Sequence, residues 1–151
     1  MMSEMKISVG ADERLYIVDV VLDYLEEKGH KATWYGPQQD ETQPWPDVAR
    51  RVALDVQSAE ADEGILFCWT GTGVSMAANK FKGIRAALCD DAETARGARL
   101  WNDANVLCMS MRRISEVVAK EILDMWFSTA YEPNETDDAC LRMIEDIENN
   151  S

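Results

Sequence analysis

The sequence predicts an α/β protein: a single Rossmann-like domain of three layers, α/β/α, around a five-stranded, mainly parallel sheet. Three observations predict it. Strand-like and helix-like hydrophobic periods alternate along all 151 residues, the pattern of a chain built from βαβ units. Residues 64–69 are continuously apolar, as in a strand covered on both faces. No internal repeat, low-complexity tract or linker interrupts the alternation, so residues 1–151 read as one domain.

The elements follow in order. Residues 7–10 form a short strand ending in a turn. Leu15, Val18, Leu22 and Leu25 then recur on one face of an amphipathic helix, closed by Gly29. Residues 31–35 read as a second strand, stopped by Gly36 and Pro37. Three of the four prolines fall in the polar stretch 37–46, which is therefore a loop. Val48, Val52 and Val56 continue as a helix, with Pro46 near its first turn and Asp47 suited to its positive end. The buried run 64–69 passes through Thr70, Gly71, Thr72 and Gly73 into a small-residue helix, 74–81. A fourth strand spans 84–88, a helix 93–100 and a fifth strand 106–109. Helices at 114–126 and 138–147 flank the Pro133 break. The last carries apolar and acidic faces, and the segment 137–149 is expected to pack on a partner subunit.

The charge narrows the function. Fifteen Lys and Arg against 28 Asp and Glu leave a formal charge of −13. Nucleic-acid binding needs a basic face for phosphates, and anionic membranes need the same, so both are excluded as partners. With 46% hydrophobic residues the chain is also no disordered acidic tail. The acidity itself serves solubility or a high-salt habitat equally well. No apolar run reaches the roughly 18 residues of a membrane span, and residues 1–6 lack the order of a secretion signal. Cys68, Cys89, Cys108 and Cys140 show no metal or disulfide spacing. The lone histidine, His30, sits in a polar turn and reads as a solvated surface residue. These features point to the cytoplasm.

In such folds ligands bind at the carboxyl ends of strands. Polar groups stand near strand ends at Asp12, at Cys68 through Gly73, and at Asn102 to Asn105 ahead of the fifth strand. The glycine loop is informative, because Gly71 and Gly73 let a ligand approach the backbone and its amides can hold an oxyanion. It is neither a Walker A loop nor a full dinucleotide fingerprint, since Ala77 stands where the third glycine would fall. Cys89, Cys108 and Cys140 read as inert buried thiols. Cys68 differs, since a thiol beside helix-terminal amides can act as a base, and no nearby histidine makes it half of a nucleophilic pair.

The run from Gly64 to Ala86, with its Cys-x-Thr-Gly-x-Gly-x-Ser-x-Ala-Ala-Asn-Lys core, resembles the type B ribose-5-phosphate isomerases and galactose-6-phosphate isomerase subunits. The opening Ile7 to Asp12, the stretch Asn102 to Leu107, Arg112, and the ending Trp126…Tyr131-Glu132 extend the resemblance over nearly the whole chain. It implies an aldose–ketose isomerase working without metal or cofactor through a cis-enediolate. Cys68 matches the base of one branch; another branch has glutamate at the position of Val74. The amides of Thr70, Gly71, Thr72, Gly73 and Val74 would hold the enediolate oxygen. Thr70 and Asp12 would handle hydroxyl protons, and Asn102 would bind a substrate oxygen. The resemblance also implies a homodimer or homotetramer with active sites at the interface.

The departures gather where that family opens the ring and grips phosphate. Its Asp-His opening reads Asp12-Glu13 here, its ring-opening histidine is Trp101, and Glu135 and Ala139 stand where arginines are expected. Arg112 remains. A phosphate dianion about 4 Å from a carboxylate is disfavoured by several kcal/mol relative to one facing arginine. The expected substrate is therefore a sugar other than the usual pentose 5-phosphate, with Trp45 and Trp101 as aromatic walls. The alternative is a catalytically silent relative that binds a ligand or partner. The retained Cys68, Thr70, Asp12 and Asn102 speak against it.

Overall fold

The computed structural model describes residues 4–151. Five strands form one sheet: β1 (Lys6–Ala11), β2 (Lys31–Tyr35), β3 (Glu63–Cys68), β4 (Ala86–Leu88) and β5 (Val106–Ser110), in the spatial order β2-β1-β3-β5-β4. Every pairing is parallel, so the expected mainly parallel sheet is parallel throughout. The order steps outward from β1 to β2, then across through β3 to β5 and β4. The switch between β1 and β3 opens a crevice at their carboxyl ends.

Six helices complete the chain: α1 (Tyr16–Glu27), α2 (Trp45–Gln57), α3 (Thr72–Ala78), α4 (Ala92–Asn102), α5 (Glu116–Ser128) and α6 (Glu135–Asn149). Two apolar clusters show the layers. Ile65 and Phe67 of β3 pack with α1, α4 and α5, and Leu66 and Cys68 pack with α2 and α3. This is the alternation of a strand buried on both faces. Helices α4, α5 and α6 start where the side chains of Asp91, Ser115 and Asn134 accept backbone N–H bonds.

Several local readings change. The third strand ends at Cys68, and Trp69 leaves the sheet 55% exposed. The fourth strand shortens to Ala86–Leu88, because Asn79 ties its own side chain to both the N–H and the carbonyl of Ala86. The helix after the glycine loop runs Thr72–Ala78 rather than to 81. Cys140 is exposed on α6, not buried, because α6 carries no buried residue at all. His30 is buried, not solvated. Gly29, at a φ of 84°, turns the chain so that the imidazole stacks on Phe127 at 4.7 Å, while its Nδ1 accepts the Met5 N–H at 3.1 Å.

One group of side chains carries buried charge. Glu63 accepts from Trp126 Nε1 at 2.8 Å and pairs with Arg99 at 2.7 Å, while the Arg99 guanidinium lies over the Trp126 ring. Burial pushes the Glu63 carboxyl up, and Arg99 opposes that shift. The network pins the start of β3 to α4 and α5. No helix among the described residues is long and apolar enough to cross a membrane.

Candidate active site

The carboxyl ends of β1, β3 and β5 meet at one edge of the sheet. Ala11 pairs in register with Phe67, so Asp12 emerges beside Cys68, one inter-strand spacing of about 4.8 Å away. Cys68 pairs with Ser110, and the loops beyond are tied together. Cys68 O accepts the Met111 N–H at 3.0 Å, and Trp69 O accepts the Arg112 N–H at 3.1 Å and the Ser110 hydroxyl at 3.0 Å. Arg112 is thereby fixed next to the glycine loop, and its side chain is exposed.

Gly71 can only be glycine. Its φ is 77°, and an added Cβ would lie 2.6 Å from Leu88 Cδ1 and 3.0 Å from the Met109 carbonyl carbon. The left-handed turn at Gly71 opens α3, so Thr72, Gly73 and Val74 form the helix's first turn, where backbone N–H groups lack partners within the helix. Gly73 has a different reason: the Trp45 indole lies against it, 3.0 Å from where a Cβ would stand. Trp45, 41% exposed, therefore roofs the glycine loop. Thr70 and Thr72 share a hydroxyl hydrogen bond of 2.7 Å beside it.

The loop after β2 closes the near side. Glu13 forms an antiparallel bridge with Thr42, and the Gln43 N–H donates to Asp12 O at 3.0 Å. Asp12 Oδ1 and Gln43 Oε1 are both buried without a hydrogen-bond partner. Burial raises the Asp12 carboxyl above the ordinary carboxylate range, with the Glu13 charge adding to the shift and backbone N–H groups opposing it. The cations nearby are unequal. Arg14 is engaged by Asp19 at 2.8 Å and stacked on Trp34, and Arg113 pairs with Asp90 at 3.4 Å. Arg112 makes no ion pair among the described residues. Burial pushes the Cys89 thiol up to about 12 and the Cys108 thiol upward as well.

Not every residue named from the sequence reaches this edge. Helix α4 runs back from the carboxyl end of β4 to the entry of β5, so Trp101 and Asn102 sit at the opposite, amino edge. Arg99 marks the same place, donating to Ala104 O and Thr129 O, which puts the end of α5 there too. Glu135 and Ala139 follow on α6. A strand of six residues separates the two edges by about 15–20 Å. Within one chain the structure thus brings together Asp12, Glu13, Trp45, Cys68, Thr70 to Val74 and Arg112. It keeps Trp101, Asn102, Glu135 and Ala139 away from them.

Two residues at the site escape the sequence reading. Trp69 looks like the last residue of a buried run, and only the position of the strand's end exposes it. Gln43 sits in a polar loop 31 positions after its partner, Asp12, and carries no local signal. No group of three or more His, Cys, Asp or Glu among the described residues could hold a metal ion.

Comparison with known proteins now bears on this geometry. A family model described as Ribose/Galactose Isomerase matches residues 7–144. The chain belongs to that family. It is 40% identical over 128 residues to ribose-5-phosphate isomerase B of Escherichia coli, covering 84% of this chain and 86% of that protein. It is 37% identical over 130 residues to a D-erythrulose-4-phosphate isomerase of Pectobacterium atrosepticum, covering 85% and 86%. The solved ribose-5-phosphate isomerase B of Clostridium thermocellum superposes with a TM-score of 0.92 at 35% identity, over 97% of this chain and 99% of that one. The class expected from the sequence, a sugar isomerase on an α/β fold, is the class of this family.

Proposed function

We propose that the protein is a cytoplasmic aldose–ketose isomerase that uses Cys68 as its base and prefers a substrate other than a pentose 5-phosphate. The observation that carries the reading is the juxtaposition at the carboxyl edge. Cys68 ends β3 beside Asp12 and directly ahead of a glycine turn whose helix begins with unpaired amides.

The chemistry follows from those positions. The Cys68 thiolate removes the C2 proton of the open-chain aldose, and the electron pair of that bond forms the C1–C2 double bond of an enediolate. The amides from Thr70 to Val74 stabilise the oxygen that gains charge. Asp12 and Thr70 pass the hydroxyl proton from O2 to O1, and Cys68 returns its proton to C1, leaving the ketose. No net proton is gained or lost. Trp45 excludes water above the loop, and Arg112 and Glu13 meet the distal end of the sugar.

The substrate preference rests on charge. Glu13 stands on the rim where a cation would favour a phosphate, leaving Arg112 as the cation without an ion pair. An unphosphorylated sugar, or one ending in another polar group, suits that rim better. A homodimer is part of the same reading, because Asn102 and Trp101 can act on substrate only if a second copy supplies them. Exposed Trp101, Ile144 and Ile147, which line one groove, offer it an apolar face.

The test follows, in heavy water, exchange of the C2–H of aldoses and of the C1–H of ketoses, alongside coupled isomerase assays. The substrates are ribose 5-phosphate, ribose, erythrulose and erythrulose 4-phosphate. Faster turnover of the unphosphorylated sugars is expected. Efficient turnover of ribose 5-phosphate would sink the substrate claim, and exchange in no sugar would leave the silent-relative alternative standing.

A further inference from the structure

Three buried side-chain atoms among the described residues lack a hydrogen-bond partner: Asp12 Oδ1, Gln43 Oε1 and His30 Nε2. Two of the three belong to residues opposed across the bridge at the site. The antiparallel bridge sets Glu13 opposite Thr42, and that register sets Asp12 opposite Gln43; the Gln43 N–H bond to Asp12 O at 3.0 Å agrees. Residues opposite one another across such a bridge have Cβ atoms about 4.5–5.5 Å apart, within reach of both side chains. An ionised carboxylate and a carboxamide oxygen are both acceptors and repel. One proton on Asp12 turns that clash into a hydrogen bond and supplies both atoms with a partner.

We propose that Gln43 is the positioning residue for Asp12: its carboxamide oxygen receives the O–H of Asp12 held as a carboxylic acid, keeping ready the proton that the isomerisation gives to a sugar oxygen. The role in catalysis rests on the isomerase reading, whereas the pair itself rests on register and burial. The ionisable groups around Asp12 are Glu13 on its own loop, Cys68 at the end of β3 and Arg112 just beyond β5, and no Arg or Lys ion-pairs with Asp12 among the described residues. Desolvation and the Glu13 charge favour the same protonated form. During turnover Asp12 gives this proton to one substrate oxygen and regains one from the neighbouring hydroxyl, so the carboxyl ends the cycle as it began. Gln43 acts through Asp12 rather than on the reacting carbons.

The experiment is a 13C NMR titration of the Asp12 carboxyl in aspartate-labelled protein, assigned by the signal lost in Asp12→Asn. Gln43→Met keeps the length and burial of the side chain but removes the acceptor. It is expected to lower the Asp12 titration midpoint by about one pH unit, the worth of one hydrogen bond. Gln43→Glu places a second carboxyl against the first and is expected to raise it. A midpoint that moves in neither variant, as a bridging water would give, overturns the pairing, and so does a rise in Gln43→Met. In the exchange assay, the high-pH limb of kcat is expected to move down with the Gln43→Met midpoint while KM changes little. If the midpoint moves in a protein that exchanges no sugar, the pair stands and the isomerase reading alone has failed.

Discussion

Cys68 and Gly71 carry the sharpest predictions at the scale of single residues. If Cys68 is the base, Cys68→Ala is expected to lower C2–H exchange by about 10²–10⁴-fold, the usual contribution of a positioned acid or base, with an unchanged fold by circular dichroism. A variant that exchanges at the wild-type rate removes Cys68 from the chemistry. Gly71→Ala tests the turn instead. Its added methyl meets Leu88 and the Met109 backbone at a left-handed φ, so a loss of about 2 kcal/mol or more is expected in urea denaturation. Cys68 and Gln43 are legible in the sequence to different degrees. The Cys-x-Thr-Gly-x-Gly spacing marks Cys68 as special, because a thiol at a strand end before glycines is chemically unusual. Nothing local marks Gln43, since its meaning comes from Asp12 across a bridge.

At the scale of elements, the N-terminal strand hangs on a histidine. His30 closes the turn between α1 and β2, receives the Met5 N–H ahead of β1 and stacks on Phe127 of α5. Because Nδ1 accepts that bond, the buried ring is neutral with its proton on Nε2, and burial lowers its pKa from 6.5. The sign is then fixed. Stability from the neutral ring is complete above about pH 6.5 and is lost as the pH falls from there through the lower pKa of the folded state. Thermal melts of the wild type between pH 8 and pH 5 are expected to show a decline that His30→Phe reduces; equal declines in both proteins count against it. Sequence reading took His30 for a surface residue because its neighbours Gly29 and Lys31 are polar. The ring is buried by α5, nearly a hundred residues away, and no local window contains that contact. The Glu63–Arg99–Trp126 group teaches the same lesson. Arg99→Met leaves a buried carboxylate without its cation and is expected to cost about 3–5 kcal/mol, measured by chemical denaturation.

On the scale of the whole molecule, the sheet separates residues that the family resemblance treats as one site. Asn102 and Cys68 stand at opposite edges of the same strands, so a working site containing both needs two chains. Mixing Cys68→Ala with Asn102→Ala protein, each inactive alone, is then expected to restore part of the activity, because a mixed dimer holds one site with neither substitution. Sedimentation of the same mixture should show the dimer. No recovery in a mixture that does form mixed dimers would mean that Asn102 acts outside the site. The exposed groove lined by Trp101, Ile144 and Ile147 belongs to this scale as well, with a second copy as its proposed cover.

By itself the sequence determined the α/β class, the order of the elements, the glycine loop and the family, because period, turn residues and motif spacing are local properties written along the chain. Its −13 charge also argues against nucleic acid and anionic membranes as partners. The tertiary structure alone decided which of the named residues meet. Strand register put Asp12 beside Cys68, the bridge at Thr42 brought in Gln43, and the return of α4 carried Trp101 and Asn102 to the far edge. Register and crossover are contacts between distant segments, settled by burial and hydrogen bonding across the sheet, and no stretch of sequence holds both partners.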